Sequence, residues 1–273
     1  MATQLDFTGK NVFVVGGTSG INLGVACGFA KWGANVAVAS RKQDKVDAAV
    51  EQLKALGANA FGTTFDVRDN EQVAAGFAKV SDFFTETIDI LISGAAGNFP
   101  AKVNDMSANA IRSVIEIDLL GTYHVMQNSF QYLTKPGASV VNISAPQAFL
   151  PMSYQSHVCS AKAGVDMVTR TLAMEWGSAG VRVNSIVPGP IANTEGMDRL
   201  APTPQLQEAV TQSVPLGRQG TVEDIANSAG IICSEFSAYI TGAILPVDGG
   251  WSQTGATVVM DKLANMMDKM PKG

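Results

Sequence analysis

The sequence predicts one α/β domain spanning residues 1–273, a doubly wound and mostly parallel Rossmann-type sheet of about seven strands with helices on both faces. Three observations carry that expectation. Short apolar runs rich in Val, Ile, Ala and Phe recur at 11–15, 35–40, 60–65, 89–93, 139–144, 181–187 and 243–247. They read as continuous apolar segments and not as strict alternation, which suits strands covered on both faces. Amphipathic stretches at 20–32, 44–56, 70–85 and 161–177 separate several of them, and strand–helix alternation of this kind winds a parallel sheet. The length and the 46% hydrophobic content fit a single core.

Taken in order, the first run feeds directly into Gly16-Gly17-Thr18-Ser19-Gly20-Ile21-Asn22, which opens the first helix. Residues 107–133 read as one long helix, with Gly121 near its middle marking close packing instead of a break. After 181–187 the rhythm lapses. Pro188, Pro190, Pro202, Pro204 and Pro215 punctuate an excursion at 188–220, too long for an ordinary connection and expected to be a lid or binding loop. A final helix is expected at 258–267.

The formal charge of −5 gives no basic field for a nucleic-acid backbone, so no nucleic-acid partner is expected. Cys27, Cys159 and Cys233 lie far apart without CxxC spacing, and His124 and His157 are the two histidines. That pattern supports neither a disulfide framework nor a structural metal site. No stretch reaches 18 apolar residues, so no membrane partner is expected. The final Met270-Pro271-Lys272-Gly273 differs from a Ser-Lys-Leu address, and a bacterial cytoplasm is the expected setting.

A glycine loop between a first strand and a first helix brings backbone N–H groups against a pyrophosphate, whose charge the helix dipole favours. Gly16, Thr18, Ser19, Gly20 and Ile21 are therefore expected to cradle a dinucleotide. Asn22 brings more bulk to this turn than glycine would, although Asn tolerates left-handed backbone angles. After the second strand, where a carboxylate would select NAD(H), the chain reads Ser40-Arg41-Lys42. A guanidinium at Arg41 grips a 2′-phosphate, which favours NADPH; an exposed helix-start charge is the plainer explanation, and is preferred for Lys42. Asp66 and Val67 close the third strand, where a carboxylate meets the adenine amino group or caps the next helix.

Motifs from the glycine loop through Pro188-Gly189 to Leu245-Pro246-Val247-Asp248-Gly249-Gly250 resemble the short-chain dehydrogenase/reductase family over nearly the full length. That family's usual site combines Asn, Ser, Tyr and Lys, with the Tyr four residues before the Lys on one helical face. Here Lys162 is present, but Val158 stands at the Tyr position, Ala145 at the Ser and Asp118 at the Asn. The segments Ala95-Ala96-Gly97-Asn98-Phe99, Met106-Ser107-Ala108-Asn109-Ala110, Ile117-Asp118, Ser160-Ala161-Lys162 and Pro188-Gly189-Pro190-Ile191 with Thr194-Glu195-Gly196 resemble the 2,4-dienoyl-CoA reductases of peroxisomal type and their bacterial relatives. That branch also lacks the tyrosine. The resemblance implies an NADPH-dependent reductase of an unsaturated acyl-CoA in fatty acid metabolism, working as a homotetramer, with Asp118 and Lys162 as its catalytic pair. It further implies Ala95, Lys162, Pro188, Gly189, Ile191 and Thr194 around the coenzyme. Arg68, Phe99, Ser107, Asn109 and Arg199 are implied around the acyl-CoA. The unmatched Tyr and Ser leave two other readings open: a carbonyl or 3-oxoacyl reductase using Tyr154 or water as proton donor, and an NADPH-binding protein without turnover. His124 and His157 are read as structural.

Overall fold

A computed structural model describes residues 5–254. The helix expected at 258–267 lies outside the described residues. In chain order the elements are β1 (Asn11–Val15), α1 (Gly20–Lys31), β2 (Asn35–Ser40), α2 (Gln43–Ala55), β3 (Ala60–Thr64), α3 (Asn70–Phe84), β4 (Ile90–Ser93), α4 (Ala108–Val114), α5 (Gly121–Ser129), β5 (Ser139–Ile143), α6 (Ser156–Gly177), β6 (Arg182–Pro188), α7 (Glu195–Leu200), α8 (Pro204–Ser213), α9 (Val222–Cys233) and β7 (Ile244–Val247). The strands form one sheet in the order β3-β2-β1-β4-β5-β6-β7, every pair parallel. The expected fold class stands.

β1 and β5 are buried at every position. Their alternate side chains enter two cores. Val12 and Val14 pack with Phe29, Leu53 and Ile225 from the α1, α2 and α9 layer. Phe13 and Val15 pack with Phe77, Val125 and Val168 from the α3, α5 and α6 layer, with the Phe13 and Phe77 rings edge-on at 5.0 Å. A strand covered twice has no polar face to show, which is why these segments read as unbroken apolar runs. The chain leaves β3 on one side of β1 and returns as β4 on the other. That reversal opens a crevice at the carboxyl ends of β1 and β4.

The segment expected as one helix at 107–133 is a continuous helical rod of mixed winding. α4 runs into a π-helical stretch at Ile115–Leu120, then α5, then a 3₁₀ turn at Phe130–Tyr132. Gly121 marks close packing as expected, because a Cβ there would stand 2.7 Å from Val67 Cγ2. The Thr122 hydroxyl donates to the Asp118 carbonyl at 2.6 Å, satisfying an acceptor within the wide turn.

Two expectations need correction. α6 begins at Ser156 and not at 161; Gln155, at its N-cap, makes no side-chain cap, so no sequence signal marks the start. The excursion at 188–220 is not one loop but holds α7 and α8. The Thr194 and Thr203 hydroxyls accept from the N–H groups of Met197 and Leu206, and Pro204 sits in the first turn of α8.

Candidate active site

The crevice is lined first by the β1–α1 turn. Gly16 takes φ +80°, and a Cβ on it would lie 2.9 Å from the Ala95 nitrogen, so only glycine lets this turn approach the end of β4. Ser19 occupies the N-cap of α1 without a side-chain bond to the helix, and no acidic residue occupies the first turn. The opening N–H groups of a twelve-residue helix are thus left without a side-chain cap at the crevice. This arrangement fits a dinucleotide pyrophosphate. Asn22 adds a tie that glycine would not make. Its Nδ2 donates to the Gly94 carbonyl at 2.8 Å and to that of Gly16 at 3.4 Å, joining the turn to the end of β4, while its buried Oδ1 has no partner.

At the far end of the crevice, Arg41 is exposed just past β2. Asp66 does not cap α3. Asp69 does, accepting from the N–H groups of Glu71 and Gln72. Asp66 is instead held by Arg68, whose Nε donates to both carboxylate oxygens at 3.0 and 3.1 Å. The Arg68 hydrogen bonds keep the Asp66 carboxyl below its usual range, and the Arg41 charge adds to this. Arg68, expected near acyl-CoA phosphates, therefore has its guanidinium engaged by a carboxylate two residues away. Buried Val67 gives its carbonyl to the His124 ring at 2.8 Å, and the structural reading of that histidine stands.

Asp118 and Lys162, 44 positions apart in sequence, meet at the centre of the crevice. The π-helical stretch carries Asp118, which is 1% exposed. Its Oδ1 accepts from the Gly97 N–H at 2.7 Å, and its Oδ2 lies 3.6 Å from Lys162 Nζ. Lys162 rises from α6, 6% exposed, and donates to the Ile143 carbonyl at the end of β5 at 3.1 Å. Burial pushes the Asp118 carboxyl above its ordinary value, and the Lys162 ammonium and the Gly97 N–H pull it back. Burial therefore favours the protonated carboxyl, the form that has a proton to give.

Where the usual tyrosine would stand, Val158 is 3% exposed in an apolar wall with Val114, Ala161 and Leu119. Tyr154 is half exposed, takes φ +67°, and its ring lies 5.8 Å from the Lys102 ammonium. Phe99 packs against the same wall, its ring tilted 39° to that of His157 with centroids 4.6 Å apart. His157 is buried, and neither ring nitrogen has a partner. The Ser107 hydroxyl caps α4 by accepting from the Ala110 N–H, and Asn109 is exposed in the first turn.

Across the crevice, Pro188 ends β6, and Gly189 passes Asp248 so closely that a Cβ would lie 2.5 Å from its Cα. Ile191 and Thr194 are buried, and the Thr194 hydroxyl donates to the Ile191 carbonyl at 2.8 Å. Arg199 lies in α7, with its side chain outside the described part. One buried charge escaped the reading of the sequence. Asp166 lies four residues after Lys162, and that spacing was a signal for it.

Residues 15–252 match the family described as "Enoyl-(Acyl carrier protein) reductase". A crystallised short chain dehydrogenase from Bacillus anthracis superposes with a TM-score of 0.79 at 36% identity, over 89% of this chain and 96% of the other. The chain belongs to the short-chain dehydrogenase/reductase family. It is 37% identical over 252 residues to the peroxisomal 2,4-dienoyl-CoA reductase of Arabidopsis thaliana, covering 89% of this chain and 84% of that one. To the corresponding enzyme of Saccharomyces cerevisiae it is 36% identical over 253 residues, covering 91% and 86%. As a short-chain dehydrogenase/reductase it is an oxidoreductase with a nicotinamide coenzyme. The expected cytoplasmic setting is overturned, because these relatives are named as peroxisomal enzymes. Among the described residues no helix is long and apolar enough to cross a membrane.

Asn22 gives the cradle a direct test. Asn22→Gly removes both ties to Gly16 and Gly94 and places a flexible residue in α1. It should lower the stability of the coenzyme-free protein by about 1–2 kcal/mol. An unchanged urea midpoint would show that these hydrogen bonds do not hold the turn.

Proposed function

We propose that this protein reduces 2,4-dienoyl-CoA thioesters to enoyl-CoA with NADPH. One observation carries the proposal: a buried carboxyl and a buried ammonium lie 3.6 Å apart at the crevice, while a valine fills the position of the phenol. The relatives' printed activity supports it.

The chemistry favours this pair. Reduced nicotinamide, when bound, supplies a hydride to the conjugated acyl chain. Conjugate reduction then requires a proton at carbon, and no alkoxide forms for a phenol to protonate. Asp118 serves that need by holding a proton, or by orienting the water that carries one. Lys162 offsets the negative charge of the carboxyl and lends positive potential to the charge developing on the thioester. Its position at the end of β5 also suits it to hold the nicotinamide ribose. Gly16, Thr18, Ser19, Gly20 and Ile21 would receive the pyrophosphate. Arg41 would take the 2′-phosphate, with Asp66 and Val67 beside the adenine. Ala95, Pro188, Gly189, Ile191 and Thr194 complete the nicotinamide end. Phe99 would border the acyl chain, with Ser107, Asn109 and Arg199 toward the CoA. The Asp66 partnership of Arg68 makes it the weakest member of that set.

Tyr154 no longer supports a carbonyl reductase, because its ring is half exposed and faces Lys102. A homotetramer is part of the proposal. It is supported by two groups of exposed apolar side chains, Tyr123, Met167 and Met174 on α5 and α6, and Phe236, Tyr239 and Leu245 around the edge strand β7.

The deciding assay follows the loss of both NADPH and the conjugated thioester absorbance with a 2,4-dienoyl-CoA. Turnover there and none on a 3-oxoacyl thioester is expected, with Asp118→Ala lowering kcat roughly 10²–10⁴-fold at similar NADPH affinity. Turnover on the 3-oxoacyl thioester alone would refute the proposal, and full activity in Asp118→Ala would remove Asp118 from it. Arg41→Ala should weaken NADPH far more than NADH in a binding titration; matching losses would take the 2′-phosphate away from Arg41. Light scattering should return a mass of four chains, and a monomer would end the tetramer assignment.

A further inference from the structure

We propose that Tyr154 and Lys102 form a docking platform for the nucleotide end of the acyl-CoA, the ring taking the adenine face and the ammonium a phosphate. The proposal rests on the dienoyl-CoA reductase reading above and names the part of that substrate which this rim of the crevice meets.

The two residues stand on facing loops, one after β4 and one before α6. Two hydrogen bonds close these loops on each other beside the substrate wall. The Ala101 N–H donates to the Tyr154 carbonyl at 2.9 Å, and Asn98 Nδ2 donates to Gln155 Oε1 at 3.2 Å. Phe99, which packs against the wall, lies between the two donors in the chain. The rim is therefore fixed to the surface that would border the acyl chain.

Its backbone is strained. Among the described residues, three that are not glycine take a positive φ: Thr85, Tyr154 and Asn193. Thr85 ends α3, a usual place for a left-handed residue, and asparagine tolerates these angles. Tyr154, at +67°, has neither reason. A bulky side chain is held there only when its surroundings impose it, and such residues concentrate at active sites and ligand clamps. The outcome here is a ring that is half exposed instead of packed into the wall. Lys102 is exposed as well, with Nζ 5.8 Å from the ring centroid. That is the outer limit of a cation–π contact, so the ammonium can turn to an anion. It makes no ion pair with any described residue, although Asp105 follows three positions later.

A half-exposed ring beside an unpaired cation has one complement in this substrate. A base stacks on the ring, and a phosphate attached to the same nucleoside meets the ammonium. An acyl tail offers nothing to the charge. The substrate also needs such a cation, because Arg68 is engaged by Asp66 and a formal charge of −5 supplies no general attraction for a polyanion.

Lys102→Met keeps the stem and removes the charge. Tyr154→Gly removes the ring and eases the backbone, and neither change opens a core. Each should raise KM for a 2,4-dienoyl-CoA roughly 5–10-fold with kcat little changed, as expected for contacts made equally in ground and transition states. Tyr154→Phe keeps the ring and should stay close to wild type. The N-acetylcysteamine thioester of the same acyl group ends before the nucleotide. On it, kcat/KM of Lys102→Met and Tyr154→Gly should lie within about twofold of wild type. Equal losses on both thioesters overturn the proposal, since the contact would then be to the acyl group or to the fold. Unchanged KM on the CoA thioester, with wild type active, overturns it too. If wild type does not turn over the short thioester, binding of free CoA to the NADP-loaded protein is measured by calorimetry in its place. Weakening by the same factor supports the platform, and equal affinity overturns it. Wild-type protein with no turnover on 2,4-dienoyl-CoA instead sinks the underlying reading, and this proposal with it.

Discussion

The buried ion pair between Asp118 and Lys162 is the interaction on which the crevice depends. Two charges in a low-dielectric interior are costly unless they are paired and hydrogen-bonded. Here the Gly97 N–H meets Asp118 Oδ1 and the Ile143 carbonyl receives the Lys162 ammonium, while Asp118 Oδ2 has the ammonium 3.6 Å away and no hydrogen bond of its own. Four separate elements therefore converge on one point: the loop after β4, the π-helical stretch at Ile115–Leu120, the end of β5 and the first third of α6. Loss of either charge would strand the other away from water. This is a physical reason for the chain to keep its lysine together with an acid after parting with the phenol.

Parts of this organisation were legible in the sequence. The seven runs and the glycine loop were, because a doubly covered strand and a tight phosphate turn each impose a local composition. Asp118 and Lys162 were not legible as a pair from spacing, since they stand 44 positions apart with α5, β5 and two 3₁₀ turns between them. They came from resemblance. Asp66 and Asp69 illustrate a different limit. Both are acids ahead of the same helix, and only the backbone decides that Asp69 reaches the first N–H groups while Asp66 turns to Arg68. The prolines of 188–220 concealed α7 and α8, although Thr203-Pro204 is a helix-start signal in plain view. Thr221 and Asp224, which form a capping box at the start of α9, are an equally plain helix-start signal.

The two sides of the crevice are built differently. On the coenzyme side, backbone contacts too close for a Cβ fix the β1–α1 turn and the Pro188–Gly189 passage in place. On the opposite side the wall is made of side chains, with Phe99 over His157 and Val158 behind them. Gln155 accepts from both Asn98 Nδ2 and Gln147 Nε2, tying that wall to the start of α6. A common coenzyme needs a fixed mould, whereas acyl chains are met by replaceable apolar surface, so variation in chain-length preference would be concentrated on the second side.

The wide winding at Ile115–Leu120 has a consequence for how this helix can change over time. It lets Asp118 look into the crevice while Gly121 still fits under Val67. Excising a single residue from that stretch would restore even coiling and rotate everything beyond it by about 100°. One of the two alignments would then be lost. Insertions and deletions are accordingly excluded from this rod, and lineages descending from this chain can alter it by replacement alone.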